Sequence, residues 1–200
     1  MSEFLDLIKK RRSVYTLSGE CAVPDAELQQ MLEELIVAMP TAYNKQSTRM
    51  VLLLGPAHKK LWGIVADTLR PRVPPEAFGR TEKKLDMFAA GHGSILYFDD
   101  TEITQQMKKD NPQYAENFEP WALEQNGMLQ YAVWALLAEQ GMGASLQHYN
   151  PIIDDAVKAQ YGLPASWMLL GQMPFGVPHN GAGPKEKDPV ETRFRMIDTL

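Results

Sequence analysis

Apolar residues recur at intervals of three and four through Pro24–Met39, where Leu28, Met31, Leu32, Leu35 and Ile36 fall on one face. Pro24 with Asp25 and Glu27 suits a helix start, and Pro40 stops the pattern, so this segment predicts an amphipathic helix. Ser2–Arg12 predicts a shorter one, with Ser2 as N-cap and Phe4, Leu5 and Ile8 aligned. Two more helices are expected at about His58–Leu69 and Glu76–Phe88, separated by the proline-rich Pro71–Pro75. The acidic, amide-rich Asp99–Glu119 reads as exposed and partly helical. Pro120–Gln140 predicts the longest helix, with Leu123, Tyr131, Trp134, Leu137 and Ala138 as its apolar stripe and Gly141 as its stop. Short apolar runs at Met50–Leu54, Ser94–Phe98 and Trp167–Leu170 predict buried strands, and Phe194–Ile197 a terminal one. Helices outnumber strands, and the strands are not spaced as tight hairpins. The expected class is α+β or mixed α/β, with helices covering a small sheet.

Length and composition narrow this further. The chain has 200 residues, 44% of them hydrophobic, which suits one globular domain over 1–200 with no repeats and no obvious linker before residue 176. The formal charge of −5 argues against a general nucleic-acid binder while leaving room for a local phosphate site. One cysteine, Cys21, cannot make an internal disulfide, and the 4 histidines show no HExxH spacing, so no metal site is expected. The start, acidic and then basic at Lys9–Arg12, does not read as a secretion signal, and no apolar run approaches the ~20 residues of a membrane span. The chain reads as cytoplasmic, with no membrane partner.

Standard catalytic motifs are missing. There is no GxxxxGK[ST], Gly141-Met142-Gly143 opens no GxGxxG, and no GxSxG occurs. Asp99-Asp100 and Asp154-Asp155 read as helix-start carboxylates facing the dipole rather than as catalytic acids. Lys9-Lys10-Arg11-Arg12-Ser13 fits either a solvated helix end or a phosphate clamp, since guanidinium groups grip phosphate bidentately and Ser13 adds a hydroxyl. Lys185 and Lys187 form a second basic pair, either a plain surface loop or the other half of that clamp. Pro40–Ser47 is rich in amides and hydroxyls able to bond a polar heterocycle, or to cap a turn. Gln147-His148-Tyr149-Asn150 after the Gly-Met-Gly turn is a ligand-facing candidate of the same kind.

In this order the segments resemble the nitroreductase family of flavin enzymes. The residues that carry the resemblance are Arg11-Arg12-Ser13, the Pro40–Gln46 loop (Pro-Thr-Ala-Tyr-Asn-Lys-Gln), Gly141-Met142-Gly143, Gly171-Gln172-Met173-Pro174 and Pro184–Pro189. Arg11–Tyr15, Phe88–Ser94, Leu146–Pro151 and Pro174-Phe175-Gly176 are similar to the subgroup typified by the fatty-acid repression mutant protein. The resemblance implies an α+β nitroreductase-like fold: a small, mostly antiparallel sheet covered by helices, a long central helix, and a homodimer that exchanges a C-terminal arm (about 177–200). It implies FMN, with Arg11, Lys185 and Lys187 at the phosphate and Arg12 and Ser13 at the phosphate and ribityl chain. Thr41, Asn44 and Gln46 would reach the flavin from the partner chain, and Leu146, Gln147 and His148 would run along its ring. Phe88, His92, Phe118 and Trp121 are the expected acceptor-pocket wall. The implied activity is ping-pong reduction of nitroaromatics or quinones by NADH or NADPH, protective under oxidative stress. No protein catalytic residue is expected, because the flavin carries the chemistry. Two departures stand out: Tyr15 replaces a common basic residue, and His148-Tyr149 replaces an acidic or glycine position. A flavin-binding regulatory or stress-response module with incidental turnover is the alternative. Reductive dehalogenation and flavin destruction would need lid insertions that the sequence lacks.

Overall fold

The computed structural model describes residues 2–199. Gly93–Asp100 (β2) is the central strand, and its side chains alternate between two cores as strand geometry requires. Leu96 and Phe98 join one cluster; Ile95 and Tyr97 join the other. Because both faces are covered, β2 reads as an unbroken apolar run rather than an alternating one. Thr48–Leu54 (β1), Trp167–Gly176 (β4) and the short Gly143–Ala144 (β3) complete a sheet of order β1-β2-β4-β3 in which every pair is antiparallel.

Among the described residues, seven α-helices surround this sheet. Glu3–Lys10 (α1), Asp25–Ala38 (α2), Gly55–Leu69 (α3), Pro75–Ala89 (α4) and Phe118–Glu139 (α6) match the expected helices within a few residues. Thr101–Asp110 (α5) and a 3-10 turn at Pro112–Asn117 fill the acidic stretch, and Asp154–Tyr161 (α7) starts at the Asp154-Asp155 pair. One core joins Leu61, Trp62 and Val65 of α3, Phe88 of α4 and Val157 of α7; the other joins Leu28 and Leu32 of α2 with Leu129, Val133 and Leu137 of α6. The result is α+β, with a thin sheet between two helical layers. No helix among the described residues is long and apolar enough to cross a membrane.

Several expectations are corrected. Phe194–Ile197 forms no strand; Phe194, Met196 and Ile197 are 68–80% exposed. β4 runs on through Gly171–Gly176, because its pairing with β2 and burial on both faces outweigh the local turn preference of Gly and Pro. Ser2 occupies the N-cap of α1 but makes no side-chain capping bond. The stripe assigned to α6 is also wrong in part. Leu123 and Tyr131 are exposed, and the buried stripe is Phe118, Ala122, Gln125, Asn126, Leu129, Val133 and Leu137. A helix apolar on most of its circumference carries little periodic signal to choose a face.

One buried base sets a pH dependence. His58 is 1% exposed, and burial lowers its pKa to about 4. Its Nδ1 lies 2.9 Å from the Ser94 hydroxyl, which also accepts from the Trp62 indole at 3.1 Å. Between pH 6.5 and about 4 the unfolded chain takes up a proton that the folded chain refuses, so stability falls with acidification over that window. Urea unfolding of wild type and His58→Gln at pH 4.5 and 7 checks this: the variant is expected to lose less stability between the two. Equal losses would remove His58 as the cause.

Candidate functional site

Arg11 ends α1, and the chain then runs extended to pair with β3, Ser13 bridging Ala144 and the Val14 N–H donating to the Ala144 carbonyl at 2.9 Å. This approach depends on Gly143, where a Cβ would stand 2.9 Å from the Val14 Cβ. Gly141, at φ +78°, makes the turn out of α6 that brings Gly143 there. The Gly-Met-Gly segment therefore serves to seat Arg11-Arg12-Ser13.

From the opposite end of the sequence, the arm after β4 returns over the same place. The Arg12 guanidinium donates to the Gly183 carbonyl at 2.9 Å. Between them lies a cleft of about 480 Å³ lined by Arg11, Arg12, Ser13, Thr16, Lys185 and Lys187 together with the glycine-rich Asn180–Pro184. No carboxylate lines it, in a chain with net charge −5. The Arg11 guanidinium lies 4.3 Å from the Trp134 ring centre and 5.5 Å from that of Tyr131. Its buried Nε and Nη1 have no hydrogen-bond partner. Buried guanidinium nitrogens without a partner are costly, so the cleft has the chemistry of a phosphate site.

Leu146–His148 continues from Ala144 along the edge of β4, where Gln147 exchanges backbone hydrogen bonds of 2.7 and 2.9 Å with Gln172. Gln147 is buried and His148 exposed.

Thr41, Asn44 and Gln46 lie elsewhere. They line a second cleft of about 470 Å³ with Met39, Arg49 and Gln125. Their loop is strained: Tyr43, Asn44 and Gln46 all have φ between 51° and 55°. Such conformations cost about 1–3 kcal/mol each and persist only where the surroundings impose them. Here the surroundings are a buried polar network. Gln125 accepts from the Ala42 N–H (3.2 Å) and donates to Ser47 (2.9 Å), Thr41 accepts from the Gln46 N–H (3.1 Å), and Lys45 donates to the Phe118 carbonyl (3.2 Å) and to Thr104 (3.3 Å). Asp99 accepts from Ser47 and Thr104. This corrects the reading of Asp99 as a dipole partner: it is 1% exposed and anchors the loop. The joint role of Lys45, Asp99 and Gln125 carried no signal in the sequence, since only the fold brings together positions 52 to 78 residues apart.

The four expected pocket residues separate. Trp121 lines a third cleft, of about 380 Å³, with Thr41, Tyr43, Gln125 and Met128, and Tyr43 stacks on it at 6.0 Å. Phe118 is fully buried beneath, edge-on to Trp121. Phe88 has no exposed surface and packs on Trp62 at 4.8 Å, so it is core rather than pocket wall. His92 borders a different cavity, beside Asp25 and His58.

A cation-lined cleft and a separate aromatic cleft thus sit on a helical shell around an antiparallel sheet. The chain belongs to the nitroreductase family, whose pattern it matches over residues 8–177. It is 33% identical to HBN1 of Saccharomyces cerevisiae over 99% of this chain and 98% of that protein. Among solved structures, nitroreductase CinD from Lactococcus lactis, in complex with chloramphenicol, is 36% identical with a TM-score of 0.90, covering 98% of this chain and all of that one. A nitroreductase from Desulfitobacterium hafniense with bound FMN shares the fold at 16% identity and a TM-score of 0.73, over 99% of this chain and 100% of that one.

Proposed function

We propose that this oxidoreductase is an FMN-dependent NAD(P)H enzyme that reduces nitroaromatic or quinone acceptors in ping-pong fashion as a homodimer. The carrying observation is the half-buried Arg11 guanidinium, two of whose nitrogens are buried without a partner, in a cleft that pools cations from both ends of the chain and contains no carboxylate. Support also comes from the FMN in the D. hafniense fold relative and from the chloramphenicol and 4-nitrophenol held by CinD.

In this reading Arg11, Lys185 and Lys187 neutralise the FMN phosphate, while Arg12 and Ser13 bond the phosphate and ribityl chain. Arg12 also ties the Asn180–Pro184 segment over the cleft through Gly183. Thr41, Asn44 and Gln46 reach the flavin from the partner chain, which accounts for their separation from Arg11 within one copy. The backbone of Leu146, Gln147 and His148 runs along the ring. When bound, FMN supplies the transfer of hydride from the nicotinamide to the acceptor. The Tyr43–Trp121 pair offers a planar apolar wall against which a flat acceptor packs and sheds water. No nucleophile or general base of the chain is assigned. Exposed apolar residues on α6 (Leu123, Met128, Tyr131) and on the arm beyond residue 177 (Phe194, Met196, Ile197) support their covering by a second copy. The reading extends to a cytoplasmic, stress-protective role.

The test is direct. The purified protein is expected to be yellow, absorbing near ~450 nm as flavins do, and to oxidise NADH or NADPH in the presence of 4-nitrophenol or a quinone. A yellow protein that stays oxidised with both nicotinamides would instead be a flavin-binding regulatory module. Removing Phe194–Leu200 is expected to shift the dimer to monomer in light scattering at micromolar concentration; an unaltered dimer would reject the exchanged arm.

A further inference from the structure

The fold gathers a second set of ligand-type side chains away from the cationic cleft, and it draws His92 there from the pocket wall expected of it. Cys21 lies before α2, Asp25 opens it, and His92 leads into β2. The Cys21 Sγ, an Asp25 carboxylate oxygen and a His92 ring nitrogen lie within 4.8 Å of one another. Asp25 and His92 border a cavity of about 670 Å³, shared with Gly19, His58 and Asp86.

The hydrogen bonds of His92 decide what this cluster can do. Its Nδ1 is 3.0 Å from the Gly19 carbonyl, which can only accept, so Nδ1 carries hydrogen. Nε2 is left as the coordinating nitrogen, and it faces Asp25 Oδ1 at 2.7 Å. In a neutral imidazole these are two acceptors facing each other, an arrangement that requires a cation between or beside them. A proton would suffice for the pair. Yet a histidine whose remote N–H is fixed by a backbone carbonyl is the usual outer-shell pattern of a metal ligand. Cys21 supplies a third donor that a simple histidine–carboxylate pair does not need. Its thiol has a single hydrogen-bond contact, Met142 Sδ at 3.4 Å.

We propose that Cys21, Asp25 and His92 bind one thiophilic divalent cation of the Zn²⁺ class, with a fourth position open to the cavity. A sulfur, a nitrogen and an oxygen donor suit zinc, whereas Mg²⁺ and Ca²⁺ want oxygen alone. Tetrahedral zinc places its ligand atoms about 3.5 Å apart. The Asp25 side chain, 55% exposed, has room to open its contact with His92 and let the thiolate close in. The ion would clamp the start of α2 to the entry of β2, giving a structural role that the spacing of 21, 25 and 92 in the sequence conceals.

The experiment uses the flavin-loaded protein after chelator treatment and desalting. Zn²⁺ titrated against a chromophoric chelator is expected to bind at one ion per chain. Cys21→Ser, Asp25→Asn and His92→Gln should each weaken binding at least about tenfold, and His179→Gln should not. Independently of any variant, Zn²⁺ should slow alkylation of wild-type Cys21, the sole cysteine, by at least about tenfold, because a metal-bound thiolate is withheld from the reagent. The proposal is overturned if binding is not stoichiometric, if the ligand variants bind like wild type, or if the alkylation rate ignores the metal. Those results would leave a proton as the cation between His92 and Asp25.

Discussion

Arg11→Ala is expected to weaken FMN binding by about tenfold to a hundredfold, the equivalent of roughly 1.5–3 kcal/mol for a charge-assisted contact. The expectation rests on how Arg11 is held. The Trp134 and Tyr131 rings fix its guanidinium without neutralising it, so the cation is ordered before any ligand arrives. Arg12 replaces it only in part, because one of its N–H groups is committed to the Gly183 carbonyl. Arg11→Lys is expected to recover only part of the loss, since an ammonium keeps the charge but not the planar fork that matches a phosphate. Fluorescence titration of the apoprotein with FMN measures both variants against the parent, with circular dichroism confirming the fold. An alanine variant with the parent's Kd would show that the phosphate lies elsewhere.

Asp99→Ala is expected to cost about 3–5 kcal/mol of stability, the usual penalty for leaving a buried charge uncompensated. Lys45 is 8% exposed, and its pKa is lowered mainly by burial, with the Asp99 carboxylate opposing that effect. Without Asp99, the ammonium loses its counter-charge and the Ser47 and Thr104 hydroxyls lose their acceptor. At roughly 2–4 °C per kcal/mol for a chain of this size, Tm should drop by about 10 °C. The sign of the Lys45 shift adds a second signature. The folded state binds its proton less tightly than the unfolded state, so stability rises with pH from the folded pKa up to 10.5, and the Asp99→Ala defect should shrink as pH rises toward 10.5. Because the network also imposes the strained Thr41–Gln46 loop, the variant should lose FMN affinity even where it remains folded. A cost below about 1 kcal/mol would mean that water replaces the carboxylate.

Local chemistry by itself determined much of the architecture. Proline and glycine at 24, 40, 55 and 141 bracket helices because they act on the backbone where they stand. The short apolar runs at Met50, Ser94 and Trp167 are strands, and the one buried on both faces, β2, reads as nearly continuous. The cations that line one cleft were also legible, as Arg11-Arg12 and Lys185/Lys187 stand out in an acidic chain. Tertiary structure decided the rest. Arg12 meets Gly183 across 171 positions, and Asp99 meets Ser47 across 52. Which side of α6 is buried, the length of β4, the core position of Phe88 and the meeting of Cys21 with Asp25 and His92 all follow from packing between remote segments. Such contacts leave no periodic trace in one chain, because each partner is chosen by the surface it meets and not by its neighbours in sequence.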